Sequence, residues 1–306
     1  MWIVFVARRL QLTLISTRMP NDIAFTTHFI CGGLAGTFGA IVTCPLELVK
    51  TRLQSSLYKS TTSRNIFANI SSVFGLLHTI RKQEGITGLW KGVGPTLVGV
   101  VPARAIYFSV YSHCKQLLAK DKKETSLIHM MSAATAGLSV ALFTNPIWLI
   151  KTRMQLQSTE IIYRNSLHCF VQVFKTEGIR GLYRGFSASL LGLSESTLQF
   201  VTYEYLKDKV NQQHPISSVE TLGCAAAAKL FAAVLTYPHE VVRTRLRQTP
   251  QDGVRKYTHL VQTAKLVYMQ EGIGALYGGM TAHLMRVVPN AAILFFSYEF
   301  LIKLAT

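Results

Sequence analysis

Charged residues at helical spacing inside apolar stretches are the residues of this sequence best placed to do chemistry. Glu47, Lys50 and Gln54 follow the spacing i, i+3, i+7, and Glu240 and Arg243 repeat its first step. Residues at this spacing share one face of a helix, and a charge inside an apolar stretch is costly unless it is paired or wet. The pattern therefore predicts ion pairs between helices. Such pairs either open and close a path or merely hold a helix bundle together.

Other polar residues interrupt apolar stretches in the same way and are candidates for binding a solute. They are Arg104, Tyr107, Tyr111 and Lys115 in one stretch, Glu195, Gln199 and Tyr203 in a second, and Lys229 within an alanine run in a third. An intramembrane lysine is by default a functional candidate, although Lys229 could instead belong to a structural ion pair. Glu195 could bind a base edge or a sugar, pair with Arg104 or Arg286, or carry a coupled proton.

No motif of an enzyme or a metal site accompanies these residues. The five cysteines form no CxxC pair, the nine histidines show no HExxH spacing, and there is no nucleotide-binding glycine loop or nucleophile–base pair. We predict neither catalysis, nor a metal, nor a cofactor. The chain is 49% apolar and 15% charged, against roughly 25% charged residues in soluble domains. Its net charge of +17 suits an anionic partner, but bases dispersed among apolar stretches argue against nucleic acid.

Two motifs recur three times in the same order, which predicts three homologous units. The first reads PLELVKTRLQ from Pro45, PIWLIKTRMQ from Pro146 and PHEVVRTRLR from Pro238. The second reads EGITGLWKG from Glu84, EGIRGLYRG from Glu177 and EGIGALYGG from Glu271. We divide the chain into a tail of residues 1–23 and repeats of residues 24–122, 123–214 and 215–306.

Each repeat contains two apolar stretches long enough to cross a bilayer, which takes roughly 20 residues as a helix. They cover about residues 25–50, 96–118, 127–151, 187–206, 219–242 and 279–304. A polar segment with a short amphipathic helix, such as residues 74–83, separates the two stretches and is expected on the membrane surface. Gly32 and Gly36 form a GxxxG step typical of helix packing. Two spans per repeat give all repeats one orientation about a pseudo-threefold axis. The predicted fold is an all-α membrane protein with six tilted transmembrane helices around a central space.

The motif Px[DE]xx[KR]x[KR] occurs in full in repeats 1 and 3 and with Trp148 at the acid position in repeat 2. It makes residues 24–305 resemble the mitochondrial carrier family. The resemblance implies a multi-pass monomer of the mitochondrial inner membrane, with short surface helices on the matrix side, that exchanges anionic metabolites or nucleotides. The sequences PARAIYF near Pro102, SESTLQFVTYE near Glu195 and YPHEVVRTRLR near Pro238 are most similar to the pyrimidine nucleotide branch. Trp148 is also typical of carriers for FAD, folate or NAD, which remain alternatives. Incomplete gates and Glu195 leave a proton-leak channel as a third reading.

The resemblance also implies a matrix gate at the ends of the odd-numbered spans. Proline bends a helix, so Pro45, Pro146 and Pro238 should kink these spans inward. The family pattern pairs Glu47 with Lys151 and Glu240 with Lys50, and places Gln54 and Gln155 below the pairs as braces. Repeat 2 departs from it, because Trp148 stands where an acid is expected. Arg243 then loses its partner unless it lies over the Trp148 ring as a cation–π contact.

The opposite, cytoplasmic gate of the family reads [FY][DE]xx[KR]. The matching residues are Tyr111 and Lys115 in repeat 1, Tyr203, Glu204 and Lys207 in repeat 2, and Tyr298 and Glu299 in repeat 3. Ser112 replaces the acid in repeat 1 and Ile302 replaces the base in repeat 3. At most two pairs are therefore expected, Lys115 with Glu204 and Lys207 with Glu299.

The family places solute contacts midway along the even-numbered spans. The expected substrate residues are Gly99, Val100, Arg104, Leu191, Gly192, Glu195, Gln199, Lys229 and Arg286. Gly99 and Val100 resemble a contact for a flat nucleobase, and Arg286 would bind phosphate through its bidentate guanidinium.

Two aromatic–basic–glycine triplets precede even-numbered spans and resemble cardiolipin sites of the family. They are Trp90, Lys91 and Gly92 in repeat 1, and Tyr183, Arg184 and Gly185 in repeat 2. The free amides at a helix N-terminus bind phosphate. A plain turn with interfacial anchors would explain the same residues, and repeat 3 lacks the base.

Overall fold

The computed structural model describes residues 21–58, 66–119, 126–157, 162–212, 217–250 and 255–305. In chain order these residues form α1 (Asn21–Gln54), α2 (Ile66–Gly88), α3 (Val93–Leu118), α4 (Ser126–Leu156), α5 (Ser166–Leu182), α6 (Phe186–Asn211), α7 (Ser218–Arg247), α8 (Leu260–Glu271), a 3-10 turn (Ile273–Tyr277) and α9 (Met280–Ala305). Six helices are long and three are short, so the predicted all-α fold is confirmed. Of the predicted tail, residues 1–20 lie outside the described part.

The six long helices form a closed ring. The most extensive packing joins α3 to α4, α6 to α7, and α9 to α1, so each even-numbered span of one repeat packs on the odd-numbered span of the next. The three odd-numbered spans, α1, α4 and α7, also contact one another. Residues repeated in the sequence are therefore brought together around one axis.

Prolines lie inside the spans where the sequence placed them. Pro45 is within α1, Pro146 within α4 and Pro238 within α7. Each removes one backbone donor from its helix, which favours a bend. The gate motif begins at the proline, so the charged residues lie on the segment between this bend and the matrix-side end of the helix.

The short helices pack against these matrix-side ends in three equivalent apolar clusters. Val73 of α2 packs with Leu48 and Val49 of α1. Val173 of α5 packs in the same way on α4, and Val267 of α8 packs on α7. Burying a valine side chain stabilises a fold by roughly 1.5–3 kcal/mol. The clusters fix each surface helix to the odd-numbered span of its repeat, and two of them also include a residue of a neighbouring repeat, Ala282 and Ala188.

The glycines of the second motif have backbone angles that explain their recurrence. The described glycines with positive φ are Gly85, Gly92, Gly178, Gly185, Gly272 and Gly279, with φ between 67° and 88°. L-residues with a side chain rarely adopt this region. The first glycine of each motif breaks the helix after its glutamate, and the last begins the next long helix.

Three described helices are long and apolar enough to span a membrane by length and composition alone. They correspond to Cys31–Gln54 of α1, Val93–Leu118 of α3 and Leu127–Leu156 of α4. α6 and α7 are less apolar because they carry charges such as Glu195 and Lys229, which bind each other. Large apolar side chains, including Val98 and Phe143, are more than half exposed, as expected of a surface that faces lipid.

Candidate functional site

Both ion pairs expected at the matrix gate are present, and the matrix side of the ring is closed. Lys50 Nζ of α1 lies 2.6 Å from Glu240 Oε2 of α7. Lys151 Nζ of α4 lies 2.7 Å from Glu47 Oε1 of α1. The side chains of both lysines are 10% exposed. Removing one partner of such a buried ion pair lowers the free energy of unfolding by about 3–5 kcal/mol. Each pair can therefore hold two helices together.

Arg243 has lost its family partner on α4, and the alternative, a contact with the Trp148 ring, is not found among the described residues. The cation over the Trp148 ring is Lys151, with its Nζ 5.1 Å from the ring centroid. These two residues are one turn apart on α4, and the indole Nε1 donates to Thr144 Oγ1 at 2.9 Å, which orients the ring along its own helix. Arg243 Nη2 instead lies 3.4 Å from Glu240 Oε1 on α7. No ion pair is found between the described gate residues of α4 and α7.

The glutamines below the gate connect neighbouring helices rather than the ion pairs themselves. Gln54 donates to Tyr237 OH at 3.0 Å and accepts from Thr244 Oγ1 at 2.8 Å, both on α7. Gln155 of α4 accepts from Thr51 Oγ1 of α1 at 2.9 Å. They brace the helices, with the ion pairs one to two turns away.

Repeat 3 has an arginine at the brace position, which the sequence analysis missed. Arg247 follows Pro238 at the same distance as Gln54 and Gln155 follow their prolines. Its Nη2 donates to Asn145 Oδ1 at 2.8 Å and to Ser189 Oγ at 3.0 Å. Alignment of the three motifs would have found it. Arg247 closes the seam between α4 and α7, where the gate ion pair is missing.

A second ring of arginines, also missed, joins the repeats below the braces. Each arginine binds the glutamate of its own EG motif: Arg52 with Glu84 at 2.5 and 2.8 Å, Arg153 with Glu177 at 2.5 Å, and Arg245 with Glu271 at 2.7 Å. Each also donates to a carbonyl oxygen at the end of the next odd-numbered span: Gln155, Arg247 and Gln54 respectively. Helix ends leave such carbonyls without intrahelical partners. The sequence signal that could have revealed these arginines is the last residue of the tripeptides KTR, KTR and RTR in the three proline motifs.

The basic residues expected to bind cardiolipin are held in internal ion pairs. Lys91 Nζ lies 2.5 Å from Glu84 Oε2, and Arg184 Nε lies 3.1 Å from Glu177 Oε2. Burial alone would raise the pKa of Glu84, but hydrogen bonds from Arg52 and Lys91 outweigh it and hold this pKa below its ordinary value.

The remaining parts of the two triplets shape the start of the even-numbered spans. Gly92 and Gly185 precede α3 and α6 without a side-chain cap. The Trp90 indole donates to the Ile41 carbonyl at 3.0 Å, and the Tyr183 ring packs edge-on against Phe186. Two uncapped helix N-termini therefore remain as the feature that fits a phosphate group.

Three of the charged residues expected to bind substrate are engaged in contacts between helices. Arg286 Nη1 of α9 lies 2.8 Å from Glu47 Oε1, the same oxygen that binds Lys151. Lys229 Nζ of α7 lies 2.5 Å from Glu195 Oε1 of α6. Glu195 is thus paired with Lys229. From the sequence, Arg104 and Arg286 were considered as its partners.

Arg104 occupies the space that Gly32 and Gly36 leave on α1. Its Nη1 lies 3.4 Å from the Gly32 carbonyl oxygen, and a Cβ added at Gly36 would lie 2.9 Å from its Nη2. The GxxxG step therefore admits a guanidinium from the neighbouring helix α3. The signal for this role was absent from the sequence of α1 itself.

The uncharged substrate candidates lie on the faces of α3 and α6 that meet the next helix. Gly99 is buried against Ile147 and Trp148 of α4, and Val100 beside it is partly buried. Gly192 faces His239 and Arg243 of α7. Leu191 is exposed, and Gln199 is partly buried two turns further along α6. At the contact between α3 and α4, the aromatic ring next to Gly99 is that of Trp148.

The cytoplasmic gate is only partly described. Lys207 Nζ lies 5.8 Å from the Tyr203 ring centroid and 3.9 Å from Glu204 Oε2, both on its own helix. The Tyr111 hydroxyl lies 2.8 Å from His129 Nδ1 of α4. Lys115 lies in the last turn of α3. The side chains of Tyr298 and Glu299 lie outside the described part, and the pair of Lys207 with Glu299 stays a prediction.

A sequence model of the family described as "Mitochondrial carrier protein" matches this chain three times in tandem. The matches cover residues 21–122, 122–214 and 214–306. The chain belongs to the mitochondrial carrier family. In this carrier the matched units each contain one odd-numbered span, one surface helix and one even-numbered span.

Curated relatives of the carrier match over most of its length. It is 47% identical to mitochondrial carrier protein rim2 of Schizosaccharomyces pombe, over 89% of this chain and 88% of the relative. It is 43% identical to mitochondrial pyrimidine nucleotide transporter RIM2 of Saccharomyces cerevisiae, over 90% and 85%. It is 40% identical to solute carrier family 25 member 33 of Homo sapiens, over 90% and 94%. The likeness is thus not confined to one repeat.

The carrier's spans hold more cations than carboxylates around the gate and the substrate positions. The cations are Lys50, Arg104, Lys151, Lys229, Arg243 and Arg286, and the carboxylates are Glu47, Glu195 and Glu240. Glu47 and Glu240 each serve two cations. The excess of positive charge attracts an anion.

Proposed function

We propose that this protein exchanges pyrimidine nucleotides or deoxynucleotides across the mitochondrial inner membrane by alternating access. The relative named a pyrimidine nucleotide transporter supports the substrate class, and the excess of cations supports an anion. The observation that carries the proposal is the contact of Arg286 with Glu47. It links a residue at a substrate position directly to an ion pair of the matrix gate.

The shared carboxylate suggests how an anion would act on the gate. A nucleotide phosphate would bind the Arg286 guanidinium in a bidentate manner and take it away from Glu47. The link between α1 and α9 would then be replaced by a link from α9 to the substrate. Glu47 would keep only Lys151, so the matrix gate would be easier to open. A substrate shifts such an equilibrium only as far as it binds the two states differently.

The other substrate candidates fit around this phosphate contact. Trp148 beside Gly99 would contact the flat base, with Val100, Leu191, Gly192 and Gln199 near it. Arg104 and the Glu195–Lys229 pair would line the path. Carriers for FAD, folate or NAD and a proton-leak channel are less well supported, because Trp148 alone suggests the former and the matrix gate holds two buried ion pairs against the latter. The proposal includes no catalytic step.

Exchange by purified protein in liposomes tests the proposal. Liposomes that contain the protein and are loaded with UTP should take up labelled UTP or CTP. Arg286→Ala should lower the rate of uptake to that of liposomes without protein. Thermal unfolding without nucleotide should show that this variant is folded. Wild-type rates equal to those of liposomes without protein would refute the function, and normal exchange by Arg286→Ala would remove Arg286 from the site.

We also propose that the carrier acts as a monomer and binds cardiolipin. One ring of six helices encloses its own path, and the uncapped N-termini of α3 and α6 offer amides to phosphate. A dimer mass by light scattering in detergent would contradict the first statement. Equal stabilisation by cardiolipin and by a zwitterionic lipid would contradict the second.

A further inference from the structure

Arg243 differs from the two other cations of the threefold motif. Its side chain is 29% exposed, whereas those of Lys50 and Lys151 are 10% exposed. Its ion pair is with Glu240 on its own helix, and at 3.4 Å it is longer than the 2.6 and 2.7 Å of the other two gate pairs. The second oxygen of Glu240 is already bound by Lys50. Of these three cations, Arg243 therefore has the most exposed side chain and the longest ion pair.

The reason lies on α4, which offers Arg243 no carboxylate. Trp148 stands at the acid position, and its indole is bound to Thr144 and lies under Lys151. A guanidinium has five N–H donors, and the contact with Glu240 uses one of them. Among the residues that the structure describes, most of the hydrogen-bonding capacity of Arg243 is thus open to a ligand.

A glycine of α6 packs closely against this guanidinium and against His239. A Cβ added at Gly192 would lie 3.9 Å from Arg243 Nη1 and 3.2 Å from His239 Nε2. His239 Nδ1 is bound to the Thr236 carbonyl oxygen, so in the neutral ring Nδ1 carries the proton and Nε2 accepts. The neutral His239 ring therefore presents an acceptor, Nε2, one turn before Arg243 on α7.

The next turn of α7 adds a further positive charge. Arg247 is 6% exposed and binds the neutral side chains of Asn145 and Ser189. Its Nε has no hydrogen-bond partner among the described residues. Arg243 and Arg247 thus lie one turn apart on α7, and of the two it is Arg243 that contacts the carboxylate of Glu240. The local potential favours a multiply charged anion.

We propose that Arg243 is a phosphate ligand of the transported nucleotide rather than a gate cation. Together with Arg286 it would hold a chain of two or three phosphates, so that the carrier prefers nucleoside di- and triphosphates to monophosphates. Glu47 and Lys50, one turn apart on α1, link the two arginines: Glu47 binds Arg286, and Lys50 binds the Glu240 that contacts Arg243. That the ligand carries a pyrimidine nucleoside rests on the proposed function. That Arg243 binds a chain of phosphates does not.

Binding at Arg243 would disturb the closed gate little. The phosphate would replace the contact of 3.4 Å with Glu240 and leave the pair of Glu240 with Lys50 at 2.6 Å intact. Binding at Arg286 would exchange a contact of 2.8 Å. Arg243 is thus suited to capture the outer phosphates first, before the gate is loosened through Glu47.

The test is the stabilisation of the purified carrier by UMP, UDP and UTP, measured as the apparent Kd from thermal unfolding. We expect wild type to bind UTP more tightly than UMP. Arg243→Gln should weaken UTP binding by about tenfold or more, as the loss of a charged hydrogen bond does, and UMP binding by less than about threefold. Trp148→Glu should lower the ratio of UTP to UMP affinity in the same direction, because the new carboxylate captures Arg243, whereas the lost base contact weakens UMP and UTP binding equally. Trp148→Phe, the matched control, should keep the wild-type ratio of UTP to UMP affinity.

An equal loss of affinity for UMP and UTP in Arg243→Gln would overturn the inference and leave Arg243 as a gate cation. If that variant does not fold, an unchanged UTP-to-UMP ratio in Trp148→Glu would overturn it equally. A wild type that no uracil or cytosine nucleotide stabilises would contradict the proposed function instead. The same series with phosphate, pyrophosphate and tripolyphosphate would then still decide the role of Arg243.

Discussion

At the scale of single residues, the closed gate depends on carboxylates that each serve two cations. Glu47 Oε1 lies within 2.8 Å of both Lys151 and Arg286, and Glu240 contacts Lys50 and Arg243. Repeat 2 lacks its own carboxylate because Trp148 replaces it. The two that remain must therefore balance the charge of four bases, and each of them matters more than in a ring of three separate pairs.

Glu47→Gln should lower the stability of the closed carrier by about 3–5 kcal/mol, because it leaves the buried Lys151 and the partly buried Arg286 without a counter-charge. The matched variant Glu195→Gln removes a pair whose lysine is 36% exposed and should cost less than about 1 kcal/mol. Thermal unfolding without nucleotide measures both. Equal losses in the two variants would show that sharing by two cations gives Glu47 no special weight.

At the scale of elements, the structure assigns the surface helices a holding role. α2, α5 and α8 each place one fully buried valine into an apolar cluster with the neighbouring odd-numbered span. In α1 and α4 the cluster residues alternate with gate residues along the helix: Leu48 and Val49 lie between Glu47 and Lys50, and Leu149 and Ile150 precede Lys151. The clusters keep each span and its surface helix together as a unit, whether the gate pairs are formed or broken.

The variants Val73→Ala, Val173→Ala and Val267→Ala should each destabilise the carrier by about 1–3 kcal/mol, from lost apolar contact and the cavity left behind. By the pseudo-threefold symmetry the three losses should be similar. Val171→Ala, on the same helix as Val173 but 45% exposed, should change stability by no more than about 0.5 kcal/mol. Chemical denaturation in detergent would compare them. A loss for Val171→Ala as large as the others would refute this account of the clusters.

At the scale of the whole molecule, three arginines connect the repeats in a cycle. Arg52, Arg153 and Arg245 each join a glutamate of one repeat to the helix end of the next. The glycines before the even-numbered spans follow the same cycle, since Gly92, Gly185 and Gly279 pack on the ends of α4, α7 and α1. Movement of one odd-numbered span therefore acts on both neighbours.

The ion pairs between these arginines and the glutamates of the EG motifs should make the stability of the carrier fall at acidic pH. The pKa of Glu84 is lowered in the folded state, so the stability it contributes is fully present above its unfolded value of about 4.3 and is lost as the pH falls through the lowered value. Glu84→Gln should be less stable than wild type at pH 7, and the difference should shrink below about pH 4. Asp208→Asn on the exposed end of α6 serves as the control in thermal unfolding across pH. A difference for Glu84→Gln that stays constant down to pH 3 would contradict the role of the charge.

The sequence by itself determined the parts of the molecule that recur. The apolar stretches predicted the six long helices, and the threefold motifs predicted that an acid of one odd-numbered span lies near a base of the next. The resemblance to the carrier family then implied the contacts of Glu47 with Lys151 and of Glu240 with Lys50. This was possible because helical periodicity places residues on one face, and symmetry-related repeats bring equal faces together. A motif repeated three times thus contains long-range information that a single segment lacks.

Only the tertiary structure decided which of several possible partners each remaining charge takes. It placed Arg286 on Glu47, Glu195 on Lys229, Lys151 on the Trp148 ring, and Lys91 on Glu84. Arg104 lies against the glycines of α1, where the sequence suggested a neighbouring helix. Several opposite charges are available to each of these side chains. Distances between helices of different repeats select among them, and neither composition nor spacing along one chain contains those distances.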